Sequence, residues 1–273
     1  MNKQLAQGIA FIGMLAFGPA LAADTAVKAP LPPAPAAGNW SGFYIGANGG
    51  YAWDPSTVFF DPGVFATTVL APGFVVASSS RPFALSVHPQ GALGGGHVGY
   101  NWQAGVWVYG FEADFDGANI KGSAAAPFSV VGTNFGDAAN ITGNLGLTQK
   151  IDYFGTARGR FGWADNAALF YVTGGVGWAH VKTTVNTFGI TSFGLTPAQA
   201  AALLVSASSS DVRAGLALGA GVEWAIAQNL SLRAEYLFID LASGGSLTIP
   251  GGSASFNYLP VQVARVGLSF LFH

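Results

Sequence analysis

Residues 148–181 carry an alternating pattern whose polarity constrains the fold more than any other feature of the chain. Successive side chains of a β-strand point to opposite faces. In the first half of this segment, one face holds Phe161 and Trp163 among small residues, and the other holds Asp152, Arg158 and Arg160. A soluble β-sandwich would bury the aromatic face against a second sheet. A transmembrane β-barrel turns that face to lipid and places the arginines in its lumen.

The second half of the segment predicts the partner strand. A short polar turn lies near Asp165, and the apolar face resumes at Phe170 and runs to Trp178, with glycine and threonine behind it. Two such runs separated by a short turn predict a β-hairpin.

The composition agrees with a membrane protein that has no transmembrane helix. Of the 273 residues, 51% are hydrophobic and only 9% are charged, against roughly a quarter charged in soluble domains. No apolar run reaches the ~18 residues that a transmembrane helix needs, so a closed barrel is the remaining membrane fold. The net charge of −2 gives no indication of nucleic-acid binding, and the absence of cysteine excludes thiol chemistry.

Residues 1–22 resemble a secretory signal peptide. Lys3 supplies the positive start, an apolar stretch follows, and Ala20, Leu21 and Ala22 fit the A-x-A cleavage pattern. Cleavage is expected after Ala22, with Ala23 as the second choice.

The mature chain divides into a spacer and a barrel domain. Residues 23–38 are rich in proline and alanine, which predicts an extended periplasmic segment without a core. Residues 39–273 are then expected to form the barrel.

Eight strands are predicted, and their connections alternate in length. The strands are expected at 40–53, 94–103, 106–116, two within 148–181, 212–226, 230–240 and 261–272. Long loops are expected at 54–90, 117–147, 183–210 and 243–256, and short turns near Ala104, Asp165 and Gln228. This asymmetry is typical of an outer-membrane barrel with short periplasmic turns and long extracellular loops, and the even strand count places both termini in the periplasm.

Two local motifs bear on this assignment. Thr196, Pro197 and Gln199 form an N-cap pattern that predicts a short helix of about two turns inside the third loop. Residues 94–99 match G-x-G-x-x-G, but no helix pattern follows, so they do not indicate a nucleotide site.

The strand motifs resemble one family. The segments WSGFYIGANGGY, GGHVGYNWQ, YGFEADFD, DYFGTARGRFGW, YVTGGVGW, GAGVEWA, LRAEYLFIDL and VARVGLSF are similar to those of the small outer-membrane immunogenic proteins of alphaproteobacteria, which are porin-family proteins with an OmpA-like barrel. The resemblance implies an all-β, eight-stranded antiparallel up-and-down barrel at the cell surface, inserted by the barrel-assembly machinery, and no single biochemical activity. Such barrels usually end on an aromatic residue, whereas here His273 follows Phe272.

The inward faces carry matched charges. They are Glu112, Asp114, Asp116, Arg158, Arg160, Arg213, Glu223, Arg233, Glu235 and Arg265. Because eight strands leave an interior just wide enough for side chains, a salt-bridge network that fills the lumen is favoured over a proton or ion path.

The outward faces carry aromatic residues that are predicted to contact outer-membrane lipid. They are Trp107, Tyr109, Phe111, Phe161, Trp163, Phe170, Trp178, Trp224, Tyr236 and Phe270. Aromatic residues at both edges of the apolar band are typical of transmembrane barrels.

These residues bear on three function classes. A surface-exposed structural barrel is favoured, and a narrow porin is the alternative because glycines at inward positions thin the lumen wall. A lipid-modifying enzyme is disfavoured because only His180, of the four histidines, faces outward, and neither an acid nor a serine pairs with it by sequence spacing. We therefore expect no catalytic residues, cofactor or metal, and the sequence names no ligand for the loops.

Overall fold

A computed structural model describes residues 39–53, 56–60, 62–70, 73–81, 83–241, 246–249, 252–255 and 259–272. The predicted signal peptide, the proline-rich spacer and His273 lie outside the described residues. In chain order the elements are β1 (Gly42–Trp53), β2 (Ser56–Phe60), α1 (Pro62–Leu70), β3 (Phe74–Ser79), β4 (Phe83–Val87), β5 (Gln90–Ala104), β6 (Trp107–Asn134), β7 (Asp137–Asp165), β8 (Ala168–Phe193), α2 (Pro197–Ala202), β9 (Ser206–Ala227), β10 (Leu230–Leu241), β11 (Ser246–Ile249), β12 (Gly252–Ser255) and β13 (Leu259–Phe272).

Eight of these strands close into a ring. They pair antiparallel in the order β1, β5, β6, β7, β8, β9, β10, β13, and β13 pairs back onto β1 from Phe43↔Phe272 to Trp53↔Gln262. The predicted eight-stranded antiparallel up-and-down barrel is therefore confirmed. The short turns also lie where they were predicted, and the turn residue Gly105 adopts a φ of +62°.

The predicted loop at 117–147 is wrong. These residues continue β6 and β7 as one long hairpin, with 28 and 29 residues in the two strands. The hairpin turns at Phe135 and Gly136, whose φ angles of 49° and 95° are the positive values that a tight type I′ turn requires. Small residues hid the strand in the sequence, because glycine and alanine give no clear alternation between apolar and polar faces.

The other long connections are also more ordered than predicted. Residues 54–90 contain β2, α1, β3 and β4, and β3 pairs with the upper part of β6. Within 183–210, β8 continues to Phe193 and β9 begins at Ser206. The predicted short helix is confirmed as α2, and Thr196 and Gln199 form the capping box.

The strands that run past the barrel build a structured extension, which we call the cap. It consists of the upper parts of β6–β9 together with β2–β4, α1 and α2. Its buried core includes Phe65, Phe128, Ile141, Leu147 and Leu203. Neither α1 nor α2, the helices of the described residues, is long and apolar enough to cross a membrane.

The interior is filled in four layers. An aromatic layer that includes Trp40 and Tyr171 lies near the short turns. The predicted inward charges other than Arg213 lie above it, and an apolar layer that includes Leu237 and Ile239 lies above these charges. The core of the cap forms the last layer.

Candidate functional site

The main polar cluster of the molecule lies inside the barrel. It joins five carboxylates and four guanidinium groups, all from residues at most 5% exposed: Glu112, Asp114, Asp116, Glu223, Glu235, Arg158, Arg160, Arg233 and Arg265. We call this set the lumen network. Strand register creates part of it, since Glu112 lies opposite Arg158 and Glu235 opposite Arg265 on neighbouring strands.

Glu112 is the centre of the lumen network. Its carboxylate accepts hydrogen bonds from both terminal nitrogens of Arg233, at 2.7 and 2.9 Å, in the two-point geometry that favours arginine over lysine. Arg158 donates to the same carboxylate at 2.6 Å and to Glu235 at 2.9 Å. Because β6 and β10 are not neighbours, the Arg233–Glu112 pair crosses the lumen and closes it.

Two further arginines complete the lumen network. Arg265 donates to Asp116 and Asp114, both at 2.8 Å, and also pairs with Glu235. Arg160 pairs with Glu223, and its guanidinium carbon lies 3.8 Å from the centre of the Tyr171 ring. Each buried charge of the lumen network therefore has at least one oppositely charged partner, which offsets the cost of removing it from water.

Aromatic rings occupy the space that inward glycines leave. A Cβ atom on Gly99 would lie 2.3 Å from the Tyr44 hydroxyl, and one on Gly221 would lie 2.5 Å from the Tyr171 hydroxyl. Tyr44 in turn donates to Glu112 at 2.9 Å. The sequence left open whether these glycines widen a pore. In the structure, the rings of Tyr44 and Tyr171 fill the space beside Gly99 and Gly221.

Arg213 is separate from the lumen network. It lies opposite Ala179, level with the upper apolar layer, and is only half-buried. On its other side, β9 pairs with β10 as far as Gly215, which lies opposite Leu241. The sequence pattern predicted its inward face but not its height, which depends on the register between β8 and β9.

The outer wall of the barrel is apolar and aromatic. Nine of the ten predicted outward aromatic residues are exposed, from Tyr236 at 43% to Phe111 at 67%. Trp178 is half-buried because its ring lies across Gly155, whose added Cβ would approach the ring to 2.6 Å. The interior is polar at the same level. The barrel therefore has an apolar outside and a polar inside, the reverse of a soluble protein, as the alternation predicted.

A β-bulge near the top of this wall changes the position of one acid. Ile151 pairs with Val181 and Tyr153 pairs with His180, which leaves Asp152 as an extra residue on β7. The alternation placed Asp152 on the inward face, but the bulge lets it contact outward Lys150 and His180. That sequence interpretation is wrong because a single inserted residue reverses the alternation.

His180 has both an acidic and a serine neighbour. Its Nδ1 lies 3.4 Å from Asp152 Oδ2, and its Nε2 lies 2.8 Å from Ser210 Oγ. The Tyr153 ring stacks on the imidazole at a centroid distance of 5.0 Å. Sequence spacing gave no sign of these partners, because Asp152, His180 and Ser210 meet only through the register of β7, β8 and β9.

Comparison with known proteins identifies the family. Residues 20–272 match the family described as "Outer membrane protein beta-barrel domain". This chain belongs to that family.

Relatives of this outer-membrane β-barrel protein agree with the assignment. The "31 kDa outer-membrane immunogenic protein" of Brucella melitensis is 33% identical over 261 residues, which are 93% of each chain. The "22 kDa outer membrane protein" of Rhizobium leguminosarum is 26% identical, over 85% of this chain and 77% of the relative. The resemblance predicted from the strand motifs is confirmed, and the protein is located in the bacterial outer membrane.

A solved structure of similar fold is the outer membrane protein OprG from Pseudomonas aeruginosa. It is 14% identical, covers 87% of this chain and 100% of its own, and has a TM-score of 0.45. The names of the two relatives describe a location in the outer membrane and, for the Brucella protein, immunogenicity.

Proposed function

We propose that this outer-membrane β-barrel protein is a surface-exposed structural barrel whose lumen does not conduct ions. The observation that carries the proposal is the filling of the lumen. Glu112, Arg158 and Arg233 pair across it with side chains at most 1% exposed, and Leu237 and Ile239 are buried above them. The proposal assigns no catalytic role to the lumen network, because its nine residues are each at most 5% exposed.

Conductance of the folded protein in a planar bilayer tests the proposal against the narrow-porin alternative. We expect no resolvable single-channel current from the wild-type protein at neutral pH. A control variant should show that the assay detects an opened lumen. Removing the cross-lumen pair with Glu112→Ala and Arg233→Ala together deletes both partners, so neither charge is left buried alone. Regular wild-type channels as large as those of this double variant would contradict a closed lumen.

The orientation is part of the same proposal, with the cap outside the cell. It is supported by the short turns at one end of the barrel and the long connections at the other. Because the chain has no cysteine, single cysteines can report on each end. Ala138→Cys in the cap should react with a polymer-linked maleimide on intact cells, whereas Gln228→Cys in a short turn should react only after the outer membrane is opened. The reverse labelling pattern would invert the topology.

A second candidate function, hydrolysis of lipid esters, is favoured by one observation on the outer wall. Asp152, His180 and Ser210 follow one another in the order acid, base and nucleophile, with the distances given above. Contacts of this kind in an unliganded site are often longer than in the reacting complex. Lys182 lies directly opposite Ser210 in the strand register, where its ammonium group would face a developing oxyanion.

The residues would act as follows in this candidate reaction. Ser210 Oγ attacks the ester carbonyl carbon and its proton moves to His180 Nε2, while Asp152 orients the imidazole through Nδ1. The imidazolium then gives the proton to the departing alkoxide. Water attacks the acyl-serine with His180 as base, and the acyl group leaves as a carboxylate.

A serine-reactive fluorophosphonate tests this candidate. Labelling of the wild-type protein that Ser210→Ala abolishes, together with release of fatty acid from detergent-dispersed phospholipid, would support it. Ser208→Ala, on the same strand and two positions away, is the matched control. Absence of labelling in the wild-type protein would leave the structural barrel as the function.

A further inference from the structure

Three lysines meet in a single row on the outside of the barrel. Lys121 pairs with Lys150, and Lys150 pairs with Lys182, on the adjacent strands β6, β7 and β8. Lys121 and Lys182 are exposed and Lys150 is half-buried. We call these three residues the lysine row. The sequence contains five lysines, and every lysine within the described residues belongs to this row.

The lysine row is electrostatically unfavourable unless an anion joins it. Like charges directly opposite each other destabilise a sheet, and strand spacing places the outer two about 10 Å apart on either side of Lys150. Only Lys150 has an ion-pair partner among the described residues, namely Asp152. Subtracting that pair from the three lysines leaves two uncompensated positive charges.

The height of the row on the barrel indicates where the anion comes from. Trp163 lies near the short turn and follows Lys150 by thirteen positions along β7. One of these positions is the extra residue of the bulge, which leaves about twelve residues of strand length. This separation corresponds to about 40 Å along a strand and, at the usual tilt of ~40°, to about 30 Å along the barrel axis. Because the apolar band of such barrels is about 25 Å tall, the row lies just beyond it, at the level of lipid headgroups on the side of the cap.

The surroundings of the row fit a lipid headgroup. Directly below it, Asp152 pairs with Lys150, and Tyr153 stacks on His180. From Trp178 downward the wall is apolar, while above the row the outward residues Thr148 and Thr184 are polar. Gln90 and Ser210 extend the row on the next strands with neutral hydrogen-bonding groups. An anion held here would therefore have acyl chains below it and water above it.

We propose that the lysine row binds a phosphate group carried by a lipid of the outer leaflet. A phosphate monoester carries about −1.5 to −2 charges at neutral pH, which matches the two uncompensated lysine charges. Lysine binds phosphate as a point charge without demanding a fixed planar geometry. The inference rests on the orientation proposed above, with the cap outside the cell, and it assigns the row as a site that anchors the barrel to surface glycolipid.

Native mass spectrometry of the detergent-purified barrel tests this proposal with bisphosphorylated lipid A as the probe. The same lipid A with its phosphates removed, and inorganic phosphate alone, are the comparison ligands. We expect the bisphosphorylated form to bind and the dephosphorylated form to bind about a hundredfold more weakly. Each lysine near an anionic surface strengthens binding about five-fold, so the variant Lys121→Gln, Lys150→Gln, Lys182→Gln should show a similar loss.

Matched variants separate charge from folding. The triple change of the same lysines to arginine should keep binding, and Arg81→Gln, which removes an exposed cation of the cap, should leave it unchanged. If the triple glutamine variant fails to fold, Lys182→Gln alone should weaken binding about five-fold.

Three results would overturn the proposal. They are undiminished binding by the folded triple glutamine variant, equal binding of the dephosphorylated lipid, and inorganic phosphate that binds as tightly as the lipid. The last result would identify a site for free phosphate. Cysteine labelling that places the cap in the periplasm would instead contradict the orientation while leaving phosphate binding itself measurable.

Discussion

The barrel and the cap share the same strands but have opposite polarity. Along the lower part of β7, Arg158 and Arg160 point inward and Phe161 points outward. Along the upper part of the same strand, Ile141 and Leu147 point inward to an apolar core, while the outward residues are polar. One continuous strand therefore follows the rule for membrane barrels over part of its length and the rule for soluble sheets over the rest.

The change in polarity shows what surrounds each part. Outward side chains match the medium, which is lipid below and water above, and inward side chains take the opposite character in each part. The change occurs near the Asp152 bulge and the lysine row. Length supports the same division, because a tilted strand needs only about 9–11 residues to cross a bilayer, whereas β7 has 29.

The largest expected effect comes from opening the lumen network. Arg158→Ala leaves Glu112 and Glu235 with fewer buried partners and should lower the free energy of unfolding by about 3–5 kcal/mol. Glu112→Ala should cost a similar amount. Urea unfolding in lipid vesicles measures both, and a loss below about 1 kcal/mol would contradict a tightly paired lumen network.

A single substitution at two heights of one strand tests the comparison directly. Ala157 and Thr142 both lie on the exposed outer face of β7, one in the barrel and one in the cap. Ala157→Arg should destabilise the protein by about 2–4 kcal/mol if it lies near the bilayer midplane, whereas Thr142→Arg should be nearly neutral because water solvates it. Insertion into vesicles and urea midpoints report the difference, and Ala220→Arg on β9 should behave like Ala157→Arg. Equal costs at Ala157 and Thr142 would remove the proposed boundary.

The smallest expected effect concerns α2, one of the two helices of the cap. Thr196→Ala removes the capping box with Gln199 and should cost about 1 kcal/mol of local stability. The lumen network lies in a different layer, so the urea midpoint of the barrel should not change. Hydrogen exchange at the amides of α2 should quicken, and a large shift in barrel unfolding would show that cap and barrel unfold as one unit.

Strong local patterns made much of the barrel predictable. Alternation and turn chemistry predict the eight strands, the short turns and the inward positions of the nine residues in the lumen network. The capping pattern at Thr196 predicts the start of α2. The cap was missed because its strands between 117 and 147 consist largely of small residues, for which burial depends on partners elsewhere in the chain. The face of Asp152 was missed because a bulge leaves no mark in one sequence.

The amino-acid sequence by itself determined the fold class, the inverted polarity of the barrel and its location, because these depend on local alternation and overall composition. Only the tertiary structure decided which charges meet, where the lumen closes and that His180, Asp152 and Ser210 come together. It also brought Lys121, Lys150 and Lys182 into one row, although about thirty residues separate each from the next. The physical reason is strand register, since hydrogen bonding between whole strands sets which distant residues become neighbours.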